Sequence, residues 1–286
     1  MPSPYAELFI YQLAGRLDAH AAIEAGSYLG HWQEEESAFL FFSAPPAEAL
    51  EDILRRQPHL RLIDSTRMAY DQWQGTVSGS ERIGRFRFIA PWDDVPLSAP
   101  DDSDGIRILL DPGLVFGAGT HPTTRDCLIA LELAAASGRI RTVMDLGTGT
   151  GILALAAARR LDAKVLAVDL NWLAAQTAGR NVRLNRLGDR ILVAQARAED
   201  AIAGPADLVA ANLHGEAMLH MLDAPGFLRK RRCILSGLMR SDAKEVRRRL
   251  DVAGFAIREA WTRDGVWHTY YAETRSPPQP ETDSTP

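Results

Sequence analysis

Residues 143–154 read Val143-Met144-Asp145-Leu146-Gly147-Thr148-Gly149-Thr150-Gly151-Ile152-Leu153-Ala154. An apolar run ends in an acid, three glycines alternate with threonines, and a second apolar run begins. The pattern predicts a buried strand, a tight loop and a helix N-terminus. Glycine supplies the positive φ such a loop needs and leaves main chain bare for a ligand. A second apolar run, Val165-Leu166-Ala167-Val168-Asp169, also ends in an acid. A carboxylate at the tip of the strand after the glycine loop is placed to hold a ribose diol.

Two ligand classes use this geometry; an ordinary glycine turn in an α/β protein is the third reading. A dinucleotide loop wraps a pyrophosphate and wants Gly-x-Gly-x-x-Gly. Here the spacing is Gly147, Gly149, Gly151, and Ile152 stands where that pattern places its last small residue. Asp-x-Gly-x-Gly-x-Gly instead resembles the first motif of the S-adenosylmethionine-dependent methyltransferases, whose ligand carries no phosphate.

The 286 residues are 46% hydrophobic and 24% charged, the balance of a globular protein long enough for two domains. A net charge of −5 argues against a general nucleic-acid binder, which is usually basic. The basic runs Arg229-Lys230-Arg231-Arg232 and Arg247-Arg248-Arg249 read as solvated helix and strand ends. Cys127 and Cys233 stand far apart and outside any Cys-x-x-Cys arrangement. They are read as packing residues in a reducing compartment, with no disulfide framework and no metal site expected. The N-terminus has no basic region before an apolar core, and no apolar run approaches a membrane span. A cytoplasmic location is expected, with no membrane partner.

Residues 1–70 carry short alternating patterns. Strands are expected at 6–13, 31–36, 38–43 and 60–65, and helices at 18–29 and 47–56, the second opened by Pro45-Pro46. The order β-α-β-β-α-β predicts a small α+β ferredoxin-like domain. Residues 71–105 read as a linker. It contains a Gly/Ser-rich stretch at 74–81, a short strand at 85–89 and an exposed loop at 96–105. Residues 106–275 form the larger α/β unit. Its strand-like runs at 143–145, 165–169, 191–194, 208–211 and 233–236 are almost wholly apolar, as suits parallel strands covered on both faces. This predicts a Rossmann-like sheet with helices on both faces. The proline-bearing tail, 276–286, is expected to be disordered.

The segment Leu110-Asp111-Pro112-Gly113-Leu114-Val115-Phe116-Gly117-Ala118-Gly119-Thr120-His121-Pro122-Thr123-Thr124 precedes the glycine-rich strand. It predicts irregular main chain, read either as a lid or as a structured turn. Thr123 or Thr124 is placed to cap a helix through Cys127, Leu128, Leu131 and Glu132. Together with the glycine motif, this string closely resembles the ribosomal protein L11 methyltransferases, the PrmA family. The resemblance continues through Asp169, through Asn181 to Asn185, through Asp207-Leu208-Val209-Ala210-Ala211-Asn212-Leu213 and to Leu235-Ser236-Gly237-Leu238. It covers most of residues 83–272.

The resemblance implies a class I methyltransferase sheet and S-adenosyl-L-methionine as cofactor, with S-adenosyl-L-homocysteine as product. It implies methyl transfer to amines of ribosomal protein L11, either lysine side chains or the N-terminal α-amine. The small N-terminal domain would then recognise the substrate. The family's cofactor contacts fall on Thr124, Gly147, Asp169 and Asn212. Asp145, Gly149 and Gly151 of the loop join them as cofactor-binding candidates, and Glu199 is a candidate partner for the adenine amine. Catalytic candidates are Asn212, to orient the amine, His121, read both as a turn residue and as a general base, and Phe116, read both as a channel wall and as packing. The attacking amine must be neutral, whereas a free lysine has a pKa of about 10.4; a dry site lowers it. Departures from the family pattern are Asn212-Leu213-His214-Gly215, where Asn-Ile-Leu-Ala is usual, and Thr148 and Thr150, where Cys and Ser are common. Lysines of another protein, or cofactor binding without catalysis, remain alternative readings. No Asn/Asp-Pro-Pro-Tyr/Phe string supports a nucleic-acid substrate. A monomer is expected.

Overall fold

The computed structural model describes residues 5–18, 23–34, 36–74, 81–93 and 105–275. The first strands are β1 (Glu7–Ala14), β2 (Tyr28–Glu34) and β3 (Ser37–Phe42), followed by helix α1 (Ala47–Arg56), strand β4 (Arg61–Ala69) and the short helix α2 (Tyr70–Gln74). The four strands form one sheet in the order β2-β3-β1-β4, each neighbour antiparallel. That is the strand order of a ferredoxin-like unit. The helix expected over 18–29 is not present among the described residues of that stretch. Tyr28 and Leu29 already belong to β2, because Tyr28 pairs with Phe42 of β3 and packs its ring on it at 5.4 Å. Residues 19–22 lie outside the described residues.

Both faces of this small sheet are apolar, because its strands alternate two apolar sets. Leu13, Leu40 and Phe42 pack with Ile53 of α1 on one face. Leu8, Ile10 and Phe41 face the other way and meet Leu114, Val115, Leu173 and Ala174 of the larger unit. Within 71–105, read as a linker, β5 (Glu81–Ile83) pairs with β6 (Phe86–Ile89), and β6 with β7 (Ile106–Leu109), in a second sheet. Ile83, Phe86 and Phe88 are buried in the main core. The expected loop at 96–105 and the Gly/Ser stretch fall mostly outside the described residues, as does the tail.

The remaining elements are α3 (Pro122–Ala136), β8 (Thr142–Leu146), α4 (Ile152–Leu161), β9 (Lys164–Asp169), α5 (Trp172–Leu184), β10 (Ile191–Gln195), α6 (Ala198–Ala201), β11 (Leu208–Asn212), α7 (Gly215–Asp223), β12 (Arg232–Leu238), α8 (Arg240–Val252), β13 (Phe255–Arg263) and β14 (Trp267–Thr274). They build a seven-stranded sheet in the order β10-β9-β8-β11-β12-β14-β13. The first five strands run parallel, and the β13–β14 hairpin closes the sheet antiparallel. One face is buried with α3 and α4, the other with α7 and α8. The chain reverses direction across the sheet between β8 and β11. Ligands of open α/β sheets bind at such a switch point, outside the carboxyl ends of the strands. The basic runs serve the fold. Arg229 and Lys230 donate to the carbonyls of Ala203 and Gly204, Arg232 pairs with Glu273, and Arg248 and Arg249 share Glu245. Cys127 and Cys233 are buried free thiols. No helix among the described residues is long and apolar enough to cross a membrane.

Two asparagines one turn apart, Asn181 on α5 and Asn185 at its C-cap, position the segment that leads to the site. Asn185 accepts from Leu109 N at 3.0 Å and donates to Leu109 O at 2.6 Å. Asn181 accepts from Asp111 N at 2.8 Å and donates to Asp111 O at 2.8 Å and to Thr150 O at 2.9 Å. Four helical residues rise about 6 Å, close to the repeat of alternate residues in an extended chain. The two amides therefore serve as a substitute strand edge for residues 109 and 111. Replacing Asn181 by Ala removes the partner of one buried and two part-buried main-chain groups and is expected to cost about 2–4 kcal/mol in urea denaturation. Asn181→Asp is expected to cost more at pH 7, because a carboxylate oxygen then faces two carbonyls, and its excess penalty should shrink in acid.

Candidate functional site

Gly147, Gly149 and Gly151 all adopt positive φ (75°, 55° and 84°), which the alternating pattern anticipates. A side chain at Gly147 would strike Leu213, and one at Gly149 would come within 2.3 Å of the Phe116 carbonyl oxygen. The loop's amides are internally satisfied. Gly147 N and Thr148 N donate to Val168 O, Gly149 N to Asp169 Oδ2, Thr150 N to Phe116 O and Gly151 N to Thr148 O. Loop N–H groups are what a pyrophosphate requires, and here all five already have acceptors. The segment 110–121 lies directly on the loop: besides Thr150 N, the Thr150 hydroxyl donates to Gly117 O at 2.7 Å. It is thus strapped down, with Tyr70 OH holding Gly113 O at 3.0 Å at its upstream end.

Asp145 is 1% exposed. Its Oδ2 accepts from Thr148 Oγ1 at 2.6 Å and Ala154 N at 3.0 Å, while its Oδ1 is buried without a partner. Burial, helped by the nearby charge of Asp169, pushes its pKa up to about 6. Asp169 accepts from Gly149 N on one oxygen and from Asn171 N on the other, each at 2.9 Å. Burial raises its pKa as well, against the pull of those two amides. Each oxygen of Asp169 keeps a further acceptor position. No lysine, arginine or histidine among the described residues pairs with either acid. A buried and a half-buried carboxylate side by side without a cation suit a cationic, hydroxyl-bearing ligand and repel an anionic one.

Asn212 ends β11 across the switch point. Its Nδ2 donates to Thr123 Oγ1 at 3.3 Å and Thr124 Oγ1 at 3.5 Å, both threonines buried in the first turn of α3. The cap of that helix is His121, followed by Pro122, and not Thr123 or Thr124 as expected. Its Nδ1 accepts the Thr123 N–H at 3.3 Å and lies 2.7 Å from Thr123 Oγ1. A ring nitrogen that accepts a main-chain N–H carries no proton, so the neutral ring bears its hydrogen on Nε2. Burial lowers the His121 pKa, which favours that neutral form. The imidazole is committed to the cap, and in this tautomer it has no basic nitrogen to offer a substrate. Phe116, 51% exposed, stands edge-on to His121, and His121 edge-on to Trp267, with centroids 5.3 and 5.0 Å apart. Glu199 pairs with Arg197 at 2.6 Å on α6. The site thus brings together Phe116, His121, Thr124 and Asn212 on one side, and Asp145, Asp169 and the loop on the other. Sequence reasoning overlooked Thr150 as the strap's anchor and Trp267; the hydroxyl at 150 inside a glycine loop was the available signal. Among the described residues, no group of three or more His, Cys, Asp or Glu could hold a metal ion.

Residues 67–274 match the family model described as Ribosomal protein L11 methyltransferase (PrmA). A protein named ribosomal protein L11 methyltransferase from Bacillus cytotoxicus is 40% identical over 176 residues, which are 61% of this chain and 55% of that one. One of the same name from Anoxybacillus flavithermus is 38% identical over 207 residues, 72% of this chain and 64% of that one. The chain thus spans between about half and two thirds of the length of these relatives. The crystal structure of a ribosomal protein L11 methylase from Lactobacillus delbrueckii subsp. bulgaricus superposes with a TM-score of 0.60 at 27% identity, covering 69% of this chain and 100% of that one. With 67–274 of its 286 residues matched, on a sheet whose switch point carries the motif residues, the chain belongs to the ribosomal protein L11 methyltransferase (PrmA) family.

Proposed function

We propose that this chain transfers methyl groups from S-adenosyl-L-methionine to amines of ribosomal protein L11, lysine side chains or the N-terminal α-amine. The observation that carries the reading is the pair of uncompensated carboxylates, buried Asp145 and half-buried Asp169, beside a loop with no free amides. That arrangement fits a ligand with a ribose and two positive charges, and it does not fit a pyrophosphate. Asp169 would hold the ribose hydroxyls through its remaining acceptor positions, and the orphaned Asp145 Oδ1 would accept from the ammonium of the methionine end. Thr124 and the loop at Gly147, Gly149 and Gly151 would complete the cradle, with Glu199 toward the adenine and the main chain of Asn212 at its edge, leaving the Asn212 amide for the acceptor.

When bound, the cofactor supplies a methyl on a positively charged sulfur that departs as a neutral thioether. The chain's contribution is alignment and exclusion of water. Asn212 orients the attacking amine, and Phe116 and Trp267 supply apolar walls that favour its neutral form. With Nδ1 committed to the helix cap, His121 shapes the site and does not accept the proton. In this reading residues 1–70 recognise the substrate and residues 106–275 catalyse. The enzyme is a cytoplasmic monomer, and its acceptor is a protein.

Calorimetry with S-adenosyl-L-methionine is expected to show binding, and Asp169→Ala to weaken it about 30-fold or more, since charge-assisted hydrogen bonds contribute about 1.5–3 kcal/mol each. Labelled methyl should appear on purified L11, read by mass. No heat from the nucleoside, or unchanged affinity in Asp169→Ala, would overturn the reading.

Asp145 gives a second test, through pH. Its folded pKa lies above the ordinary carboxylate value, so the native state holds the extra proton between about pH 4 and 6. Its ionisation therefore destabilises the fold as pH rises through that window. Asp145→Asn is expected to raise stability at pH 7 by about 1–3 kcal/mol, with the gain vanishing near pH 4, while cofactor affinity is lost. Denaturation curves at the two pH values, beside calorimetry, check both halves.

A further inference from the structure

We propose that Thr123 is a positioning residue: its hydroxyl, held by His121, sets the polarity of the Asn212 carboxamide so that the carbonyl oxygen faces the incoming amine. The proposal rests on the methyl-transfer reading of this site.

The direction of each bond follows from the donors available. Thr123 N–H can only donate, and it donates to His121 Nδ1. Nδ1 is therefore unprotonated, and its 2.7 Å contact with Thr123 Oγ1 requires the hydroxyl to give it the proton. With that proton committed, Thr123 Oγ1 can only accept from Asn212. An amide can be turned over without changing its outline, so its neighbours decide its orientation. A reversed Asn212 would set its carbonyl oxygen against an oxygen that has no hydrogen left. Thr124 Oγ1, at 3.5 Å, is the weaker of the two acceptors. The turn itself is fixed from behind. Ser236 Oγ donates to Thr123 O at 3.4 Å and lies 2.5 Å from Thr269 Oγ1, all of it buried. Glycine at 237 keeps Asn212 Oδ1 from being crowded, since a side chain there would come within 3.0 Å of it and within 2.5 Å of Leu213 O.

An acceptor oxygen turned to the reacting nitrogen grips an N–H and leaves the nitrogen's lone pair for attack. A neutral primary amine has both. A ring nitrogen with a lone pair and no hydrogen would meet the lone pairs of Oδ1 and be repelled. The orientation of this one amide is therefore a device that selects nitrogens bearing a hydrogen, such as a lysine or N-terminal amine, over bare ring nitrogens.

Thr123→Val removes the hydroxyl at nearly constant shape, and Thr123→Ser keeps it. Three measurements on the full chain separate the outcomes: exchange of the Asn212 side-chain amide protons by NMR without cofactor, calorimetry with S-adenosyl-L-homocysteine, and kcat and KM for methyl transfer to purified L11. Thr123→Val is expected to lower kcat about 10- to 100-fold, the scale on which misplacement of a reacting group acts. The KM for L11 and the affinity for the nucleoside should stay within about threefold, and the Asn212 amide should exchange faster. Thr123→Ser should behave like the parent in all three. Parental kcat in Thr123→Val, an equal loss in Thr123→Ser, or a parallel loss of nucleoside affinity would overturn the proposal. If the parent chain methylates no L11, the substrate assignment fails instead, and unchanged amide exchange in Thr123→Val would still refute the orientation argument.

Discussion

The carboxamide of Asn181 is the bond on which the site's geometry depends. It has no exposure to water, and it joins three pieces of chain, the strap at Asp111, the glycine loop at Thr150 and helix α5. A buried amide with its donors and acceptor engaged is stabilising, whereas the same groups left unpaired would cost several times as much. Because Thr150 is held at its carbonyl by Asn181, its N–H and hydroxyl are aimed at Phe116 and Gly117. The strap then carries Leu114 and Val115 under the small N-terminal sheet. The small N-terminal sheet and the glycine loop are thus linked through a few fully paired polar groups.

The electrostatics of the site oppose the stability of the fold. Asp145 is buried and Asp169 half-buried, neither pairs with a cation among the described residues, and the charge of Asp169 disfavours that of Asp145. Natural sequences retain such conflicts where a ligand resolves them. The positive charge that relieves this one arrives with the cofactor in the proposed function. The same conflict separates the two ligand classes compatible with a glycine-rich loop, since a pyrophosphate would add to it.

Much of the fold was legible in the chain. The acid at the end of each of two apolar runs, with glycines between them, implies strand, loop and helix through local rules alone, and the parallel strands follow from their unbroken apolar character. The N-terminal sheet was legible from its alternation, although one helix was misplaced. Tyr28 favours no helix once Phe42 offers it a cross-strand partner, and that partner is invisible at the level of a single segment. The stretch read as a linker held strands for the same reason: Phe86 and Phe88 become core only because α3 and α4 lie over them.

The sequence alone determined the strand ends and loop positions where the candidate site residues stand, because glycine's φ and the period of apolar residues act within a few neighbours. Asp145, Gly147, Gly149, Gly151, Asp169 and Asn212 were identifiable on those grounds and by family resemblance. Only the tertiary structure decided what those groups face. Asn212 and Thr123 are 89 residues apart, and Asp111 and Asn181 are 70 apart. Which nitrogen of His121 holds the proton, which way the Asn212 amide points, and that every loop amide is already engaged all depend on such distant pairs. A hydrogen bond constrains direction as well as distance, and direction exists only once the chain is folded.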